Sequence, residues 1–185
     1  MTTTSRKPLF LDRDGVINHD LIPYVTTADE LEIFPWVIDA LQMLWEAGYQ
    51  FFIISNQQGV GKGFIKEEEL QKQTKKIEDY LATRGLRIEK YYYCRSLAEA
   101  NDPWRKPGCG MIEAARDEFG VDPHGAFMIG DRWSDMEAGA RAGCRPLLVL
   151  SGGTTAGWED WKFPPEEVFA NLLEAAKWIC QQKGS

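Results

Sequence analysis

Short apolar runs alternate along the chain with longer segments whose apolar residues recur at helical spacing. Residues 8–11, 50–55, 88–94, 126–129 and 146–150 are each bounded by polar residues or glycine, which predicts five buried strands. Between them, Val37, Leu41, Leu44 and Trp45 share one helical face, and Gly48 follows as a stop. Leu70, Thr74, Ile77 and Leu81 share a second face with Gly85 beyond, and Ile112, Ala115 and Phe119 a third that ends at Gly120. Met136 and Ala140 mark a short fourth helix; Val168, Leu172, Ala176 and Ile179 mark a last one. Strands alternating with helices predict an α/β fold, a doubly wound parallel sheet covered on both faces. Ligands of such sheets bind at the carboxyl ends of the strands. The polar residues that end the strands here are Asp12, Ser55 and Asp131, and they are expected to converge.

Composition narrows the class. With 185 residues, 44% of them apolar, the chain can bury one sizeable core and is expected to form a single domain over residues 1–185. No apolar run approaches the ~20 residues of a membrane helix. The apolar stretch at 8–11 is too short for a signal peptide before the charged Asp12-Arg13-Asp14, so a cytoplasmic protein is expected. A net charge of −7 argues against nucleic acid or an anionic membrane as partner, while leaving room for a small basic pocket. Cys94, Cys109, Cys144 and Cys180 show no Cys-x-x-Cys spacing and read as reduced, mostly buried thiols. No long exposed apolar segment calls for a partner, so a monomer is expected.

Four segments carry candidate chemistry. In Asp12-Arg13-Asp14-Gly15, two carboxylates two residues apart follow the first strand, which suits a divalent metal and an acid–base pair. Val16 and Ile17 stand where a calcium loop needs a ligand and a glycine, so that reading fails; a solvated Asp-Gly turn is the plain alternative. The run from Ser55 to Gly63 resembles a phosphate loop, but Gly63 replaces the Ser or Thr that must follow Lys62. What remains is a strand-end hydroxyl and a flexible glycine loop with free amides. Arg105-Lys106-Pro107 precedes the third helix, where Pro107 suits a helix entry and the two cations face any anion bound there. Finally, Asp131 and Asp135 straddle a strand-to-helix turn, a spacing that holds a cation or simply caps a helix.

Asp-x-Asp-Gly, a strand-end Ser, Lys-Pro and Gly-Asp-x-x-x-Asp, in this order, resemble the haloacid-dehalogenase superfamily over nearly the whole chain. Within it, FLDRDGVIN, SNQQGVGKG, RKPGCGM and GDRWSDMEAGARAG look most like the heptose-bisphosphate phosphatases, with histidinol-phosphate phosphatases as relatives. No interval is long enough for a separate cap domain, which implies a comparatively open site. The resemblance implies Asp12 as a nucleophile that forms an aspartyl phosphate, and Asp14 as the acid and then the base. It implies Mg²⁺ held by Asp12, the main-chain carbonyl of Asp14 and Asp131, with Ser55 and Lys106 holding the phosphoryl group. Asp135 would orient Lys106 or a metal-bound water. Arg13, Asp20, Tyr24, Asn56, Gln57, Gln58, Arg105 and Arg132 are the candidate contacts to a phosphorylated small molecule. Trp104 and Trp133 adjoin two of these arginines and either face a sugar or pack internally.

The chain departs from the family at one loop. Heptose-bisphosphate phosphatases commonly bind zinc through Cys-x-His and, later, Cys-x-Cys just ahead of Arg-Lys-Pro. Here Cys94 matches, but Ser96, Asp102 and Trp104 stand at the other three positions, so no structural zinc is expected. Two other functions compete. A polynucleotide 3′-phosphatase has a similar second motif, yet needs a basic track that this acidic chain lacks. A phosphoacceptor signalling domain shares the sheet architecture, but its acceptor follows the third strand, where Tyr93-Cys94 offers no acid.

Overall fold

The computed structural model describes residues 6–154 and 156–182. Residues 1–5, part of the start on which the reading of no signal peptide rests, lie outside the described residues. Six strands form one sheet: β1 (Lys7–Leu11), β2 (Tyr49–Asn56), β3 (Lys90–Cys94), β4 (Phe127–Gly130), β5 (Arg145–Val149) and β6 (Glu167–Phe169). Their order is β3-β2-β1-β4-β5-β6 and every neighbouring pair is parallel. The helices are α1 (Val37–Glu46), α2 (Gln58–Gly61), α3 (Glu67–Ala82), α4 (Gly110–Phe119), α5 (Trp133–Arg141) and α6 (Leu172–Gln181).

The strands are apolar on both faces because both faces are covered. On one face Leu9, Leu11, Phe51, Ile53, Ile129 and Val149 pack with Val37, Leu41 and Leu44 of α1, Ile77 and Leu81 of α3, and Leu172, Ala176 and Ile179 of α6. On the other, Phe10, Phe52, Ile54 and Met128 meet Met111, Ile112 and Ala115 of α4. These are alternate residues of the same strands, as a period of two requires.

Three expectations are corrected. A sixth strand exists: Val168 pairs with Leu148 of β5 and does not belong to the last helix, which starts at Leu172. Asn171 sets that start, its side chain accepting the amides of Leu173 and Glu174. The glycine loop after β2 is partly helical, because Gln58–Gly61 close a turn as α2. Pro107 does not begin α4, whose first residue is Gly110. Among the described residues no helix is long and apolar enough to cross a membrane.

Candidate active site

β1 and β4 are neighbours, yet the chain leaves β1 towards β2 and leaves β4 towards β5. A crevice opens at their carboxyl ends, where the connections diverge. Asp12 enters it directly from β1, its amide still bonded to the carbonyl of Ile129 at 2.9 Å. Asp131 follows β4 and Ser55 lies at the end of β2, so the three strand-end residues do converge on the sheet's carboxyl edge.

Lys106 reaches this crevice from the loop before α4. Its ammonium donates to the Ile54 carbonyl at 2.7 Å and lies 2.9 Å from Asp12 Oδ1 and 2.6 Å from Asp135 Oδ1. The ammonium thus sits between one main-chain carbonyl and two carboxylates. Burial alone would depress its pKa, but Asp12 and Asp135 outweigh that and hold it above the usual lysine value. Asn56 fixes the same lysine from behind, exchanging two 3.0 Å hydrogen bonds with its main chain. Asn56 thus holds the Lys106 main chain while lining the cavity above it.

Asp12 Oδ1 accepts the Arg13 amide at 2.7 Å and faces Lys106, whereas Oδ2 accepts no hydrogen bond among the described residues. One oxygen of each of Asp12, Asp131 and Asp135 lies within 4.8 Å of the others. Burial first, then the neighbouring carboxylates, push Asp12 up to about 7 and Asp131 up to about 8. Both buried oxygens of Asp131 accept no hydrogen bond, and the nearest cation, Arg132 Nε, stands 3.5 Å from Oδ2. Buried carboxylates in this state call for a further positive charge. A hard divalent cation with oxygen ligands fits them. The space around Asp131 is kept by two glycines: a Cβ would lie 2.6 Å from Asp131 Oδ2 if built on Gly15, which has φ +82°, and 2.0 Å if built on Gly152.

Asp14 points elsewhere. Its carboxylate accepts from Arg13 Nη2 at 2.8 Å, Asn18 Nδ2 at 2.8 Å and Gln57 Nε2 at 2.8 Å. Burial pushes its pKa up, but Arg13 and these hydrogen bonds win, and it stands below the usual carboxylate value. Arg13 is 1% exposed, and its Nη1 donates to Gln73 Oε1 on α3 at 2.8 Å. It is therefore a partner of Asp14 at the floor of the cavity. Gln57 is likewise buried, bridging Asp14 and the Ser55 hydroxyl through one 2.8 Å bond to each.

The remaining candidates surround a cavity of about 680 Å³ above this centre, walled also by Asp20, Tyr24, Gln58, Arg105, Arg132 and Trp133. Arg132 pairs with Asp20, and Arg141, also at the cavity, pairs with Glu137. Arg105 differs. Its guanidinium donates to the Ser96 carbonyl at 3.0 Å and Gln58 Oε1 at 3.2 Å, and among the described residues no carboxylate pairs with it. Trp133 is half exposed at the cavity, while Trp104 turns away and meets Tyr92 edge-on.

Positions 94, 96, 102 and 104 meet in one hydrogen-bonded cluster. Asp102 Oδ2 accepts from the Ser96 hydroxyl and, at 3.7 Å, from Cys94 Sγ, and its Oδ1 accepts the Trp104 amide at 2.9 Å. Sequence reasoning missed Asn18, Gln73, Ser151, Gly152 and Thr154. Ser151 and Thr154 hold the carbonyls of Gly15 and Asp131 at 2.7 and 2.6 Å. Their signal was available, since both follow the fifth strand on the functional edge of the sheet.

Several known proteins are similar to this chain. A family profile described as HAD-hydrolase-like matches residues 103–175. The D-glycero-beta-D-manno-heptose-1,7-bisphosphate 7-phosphatase of Pasteurella multocida is 32% identical over 180 residues, covering 94% of this chain and 97% of that protein. An alpha-anomer counterpart from Campylobacter jejuni is 35% identical over 145 residues, covering 78% and 83%. Among solved structures, the D,D-heptose 1,7-bisphosphate phosphatase of B. bronchiseptica, complexed with magnesium and phosphate, superposes with a TM-score of 0.88. It is 29% identical, over 95% of this chain and 99% of that one. The crevice at the β1/β4 divergence and likeness along almost the whole chain lead to one assignment: this chain belongs to the heptose-1,7-bisphosphate phosphatase family of haloacid-dehalogenase-like hydrolases.

Proposed function

We propose that this phosphatase removes the 7-phosphate of a D-glycero-D-manno-heptose 1,7-bisphosphate through an aspartyl phosphate on Asp12. The unshared Oδ2 of Asp12 attacks phosphorus while Oδ1 stays held by the Arg13 amide and Lys106. The bond from phosphorus to the sugar oxygen breaks, and that oxygen takes a proton from Asp14. Water then attacks the aspartyl phosphate and gives its proton to Asp14, which frees phosphate and restores Asp12. Asp14 is held ionised by Arg13, as the second step requires. For the first step it must gain a proton, which the approach of an anionic phosphate favours by like-charge repulsion. Ser55 and Lys106 stabilise the transferring oxygens. Asp12, the main-chain carbonyl of Asp14 and Asp131 would hold Mg²⁺, which would supply the charge that offsets repulsion between Asp12 and the phosphate.

The observation that carries the bisphosphate is Arg105. It is the guanidinium at the cavity held only by neutral acceptors, so its charge is available to a second anion. Asp20, Tyr24, Gln58, Arg132 and Trp133 complete the wall that the sugar meets. We further read the chain as one domain that acts as a cytoplasmic monomer, binds no structural zinc, and engages neither nucleic acid nor membrane. The net charge of −7 supports the absence of a nucleic-acid or anionic-membrane partner.

A phosphate-release screen with Mg²⁺ tests the reading. It compares both anomers of the heptose 1,7-bisphosphate, histidinol phosphate and a 3′-phosphorylated oligonucleotide. The bisphosphates should be preferred by at least about tenfold in kcat/KM, roughly one lost charge-assisted contact. Preference for histidinol phosphate or the oligonucleotide would overturn it.

A further inference from the structure

The loop between β3 and α4 carries Arg105 into the cavity wall, yet it has little apolar packing of its own. Leu97 is only partly buried, and Ala98, Ala100, Pro103 and Trp104 are exposed. Ordering therefore falls to polar contacts, and three of them meet at one side chain. Asp102 reaches back across the loop to Ser96 and Cys94 with one oxygen and forward to the Trp104 amide with the other. Its main-chain carbonyl accepts the Arg105 amide at 2.9 Å. Ser96, fixed in this way through its hydroxyl, presents the carbonyl that the Arg105 guanidinium uses at 3.0 Å.

We propose that Asp102 is a positioning residue for substrate specificity: by tying Ser96 to Trp104 it holds the Arg105 guanidinium at the distance a second phosphate needs. The inference rests on the bisphosphate reading above. Hydrogen bonds from Ser96 and Trp104 also keep the Asp102 carboxyl below its usual pKa, so the charged, accepting form persists at neutral pH.

Simple electrostatics predicts the opposite sign for its removal. Asp102 lines the same cavity as Arg105, so deleting a negative charge there should, on charge alone, tighten the binding of an anion. The clamp predicts weaker binding. Asp102→Ala should raise KM for the heptose 1,7-bisphosphate about five- to tenfold, the cost of a lost charge-assisted hydrogen bond. Its kcat, and its KM for the heptose 7-phosphate lacking the anomeric phosphate, should stay within about twofold of wild type, because no group at Asp12 is disturbed. Asp102→Asn keeps an acceptor for the Trp104 amide and can donate to the Ser96 hydroxyl, so it should restore most of the affinity. Hydrogen exchange should quicken across residues 95–105 in Asp102→Ala and much less in Asp102→Asn.

Arg105→Ala, assayed alongside, separates the two ideas. If it raises KM for the bisphosphate but Asp102→Ala leaves KM unchanged or lowers it, the positioning role is overturned and the two-anion reading stands. If Arg105→Ala affects bisphosphate and monophosphate equally, the two-anion reading fails and the proposed use of the clamp fails with it. A bisphosphate-specific rise in KM for both alanine variants, rescued by Asp102→Asn, supports both.

Discussion

Asp135 Oδ1 lies 2.6 Å from Lys106 Nζ, and both side chains are almost wholly buried. The other Asp135 oxygen accepts the Arg132 amide at 3.0 Å, closing the first turn of α5. One carboxylate thus locks a helix start to the cation that faces Asp12. Asp135→Asn should lower stability by about 3 kcal/mol, since it leaves a buried ammonium short of one counter-charge. It should also cut kcat by about ten- to a hundredfold through a displaced Lys106. Thermal melts together with phosphate release check this, and an unchanged melting temperature would show that Asp12 and Ile54 suffice to hold the lysine.

Replacing Asp12 separates chemistry from folding. Asp12→Asn keeps the volume and can still meet the Arg13 amide, but offers no nucleophilic carboxylate. Turnover should fall to below about 1% of wild type, in line with the loss of a covalent route, while far-ultraviolet dichroism stays unchanged. Activity above that level in protein free of wild-type enzyme would exclude an aspartyl phosphate at this position.

The pH dependence of metal binding has a definite sign. Asp12 and Asp131 are pushed up to about 7 and about 8 by burial and by neighbouring carboxylates, Asp135 first in both cases. Between their unfolded values and these, the folded metal-free protein holds protons that the unfolded chain has released. Stability of protein treated with a chelator should therefore fall as pH rises from about 5 to 8. Mg²⁺ needs the ionised carboxylates, so its affinity should climb over the same range, by up to about tenfold per pH unit for each proton displaced. Titration calorimetry at pH 6, 7 and 8 reads this directly; a constant Kd would mean that neither carboxylate is protonated before the metal arrives.

Gln73 lies on α3, outside the motifs, yet it holds the partner of the active-site acid. It is fully buried and accepts from Arg13 while donating to the Val25 carbonyl at 3.0 Å. Gln73→Leu orphans a buried guanidinium N–H, at a cost of about 1–3 kcal/mol. We expect kcat to fall while KM holds, because the disturbed group is Asp14 and the cavity wall stays intact. A normal kcat in a destabilised variant would confine Gln73 to packing.

At the loop before α4, one thiol, one hydroxyl, one carboxylate and one indole occupy the four positions of the family's zinc site. Elemental analysis after dialysis should find no stoichiometric zinc, since a closed tetrahedral site needs four N or S donors. Zinc retained at one equivalent would refute this.

What could be read beforehand was the edge of the sheet. Strand-end residues are placed by chain direction alone, so Asp12, Ser55 and Asp131 met as expected. Orientation was harder to read. Arg13, Asn56 and Gln57 sit beside the chemistry in the sequence, and all three turn inward to hold Asp14 or Lys106, because buried polar atoms must find partners. No local pattern encodes that choice. Gln73 was invisible for the converse reason: its partner Arg13 lies far off in the chain, and a glutamine on a helix face looks solvated. β6 escaped notice because three residues carry no measurable period.

The order of the strands has a consequence for how the enzyme comes into being. Asp12, Asp14 and Ser55 belong to the first strands made, whereas Lys106, Asp131 and Asp135 arrive late, and Leu9 must find Phe127 before β1 has its second neighbour. A chain that has built only β1, β2 and β3 owns a nucleophile without its cation. Turnover is therefore a report on the most distant pairing in the sheet, and during refolding it should return only with the β1–β4 contact, after any signal that follows β1 and β2 alone.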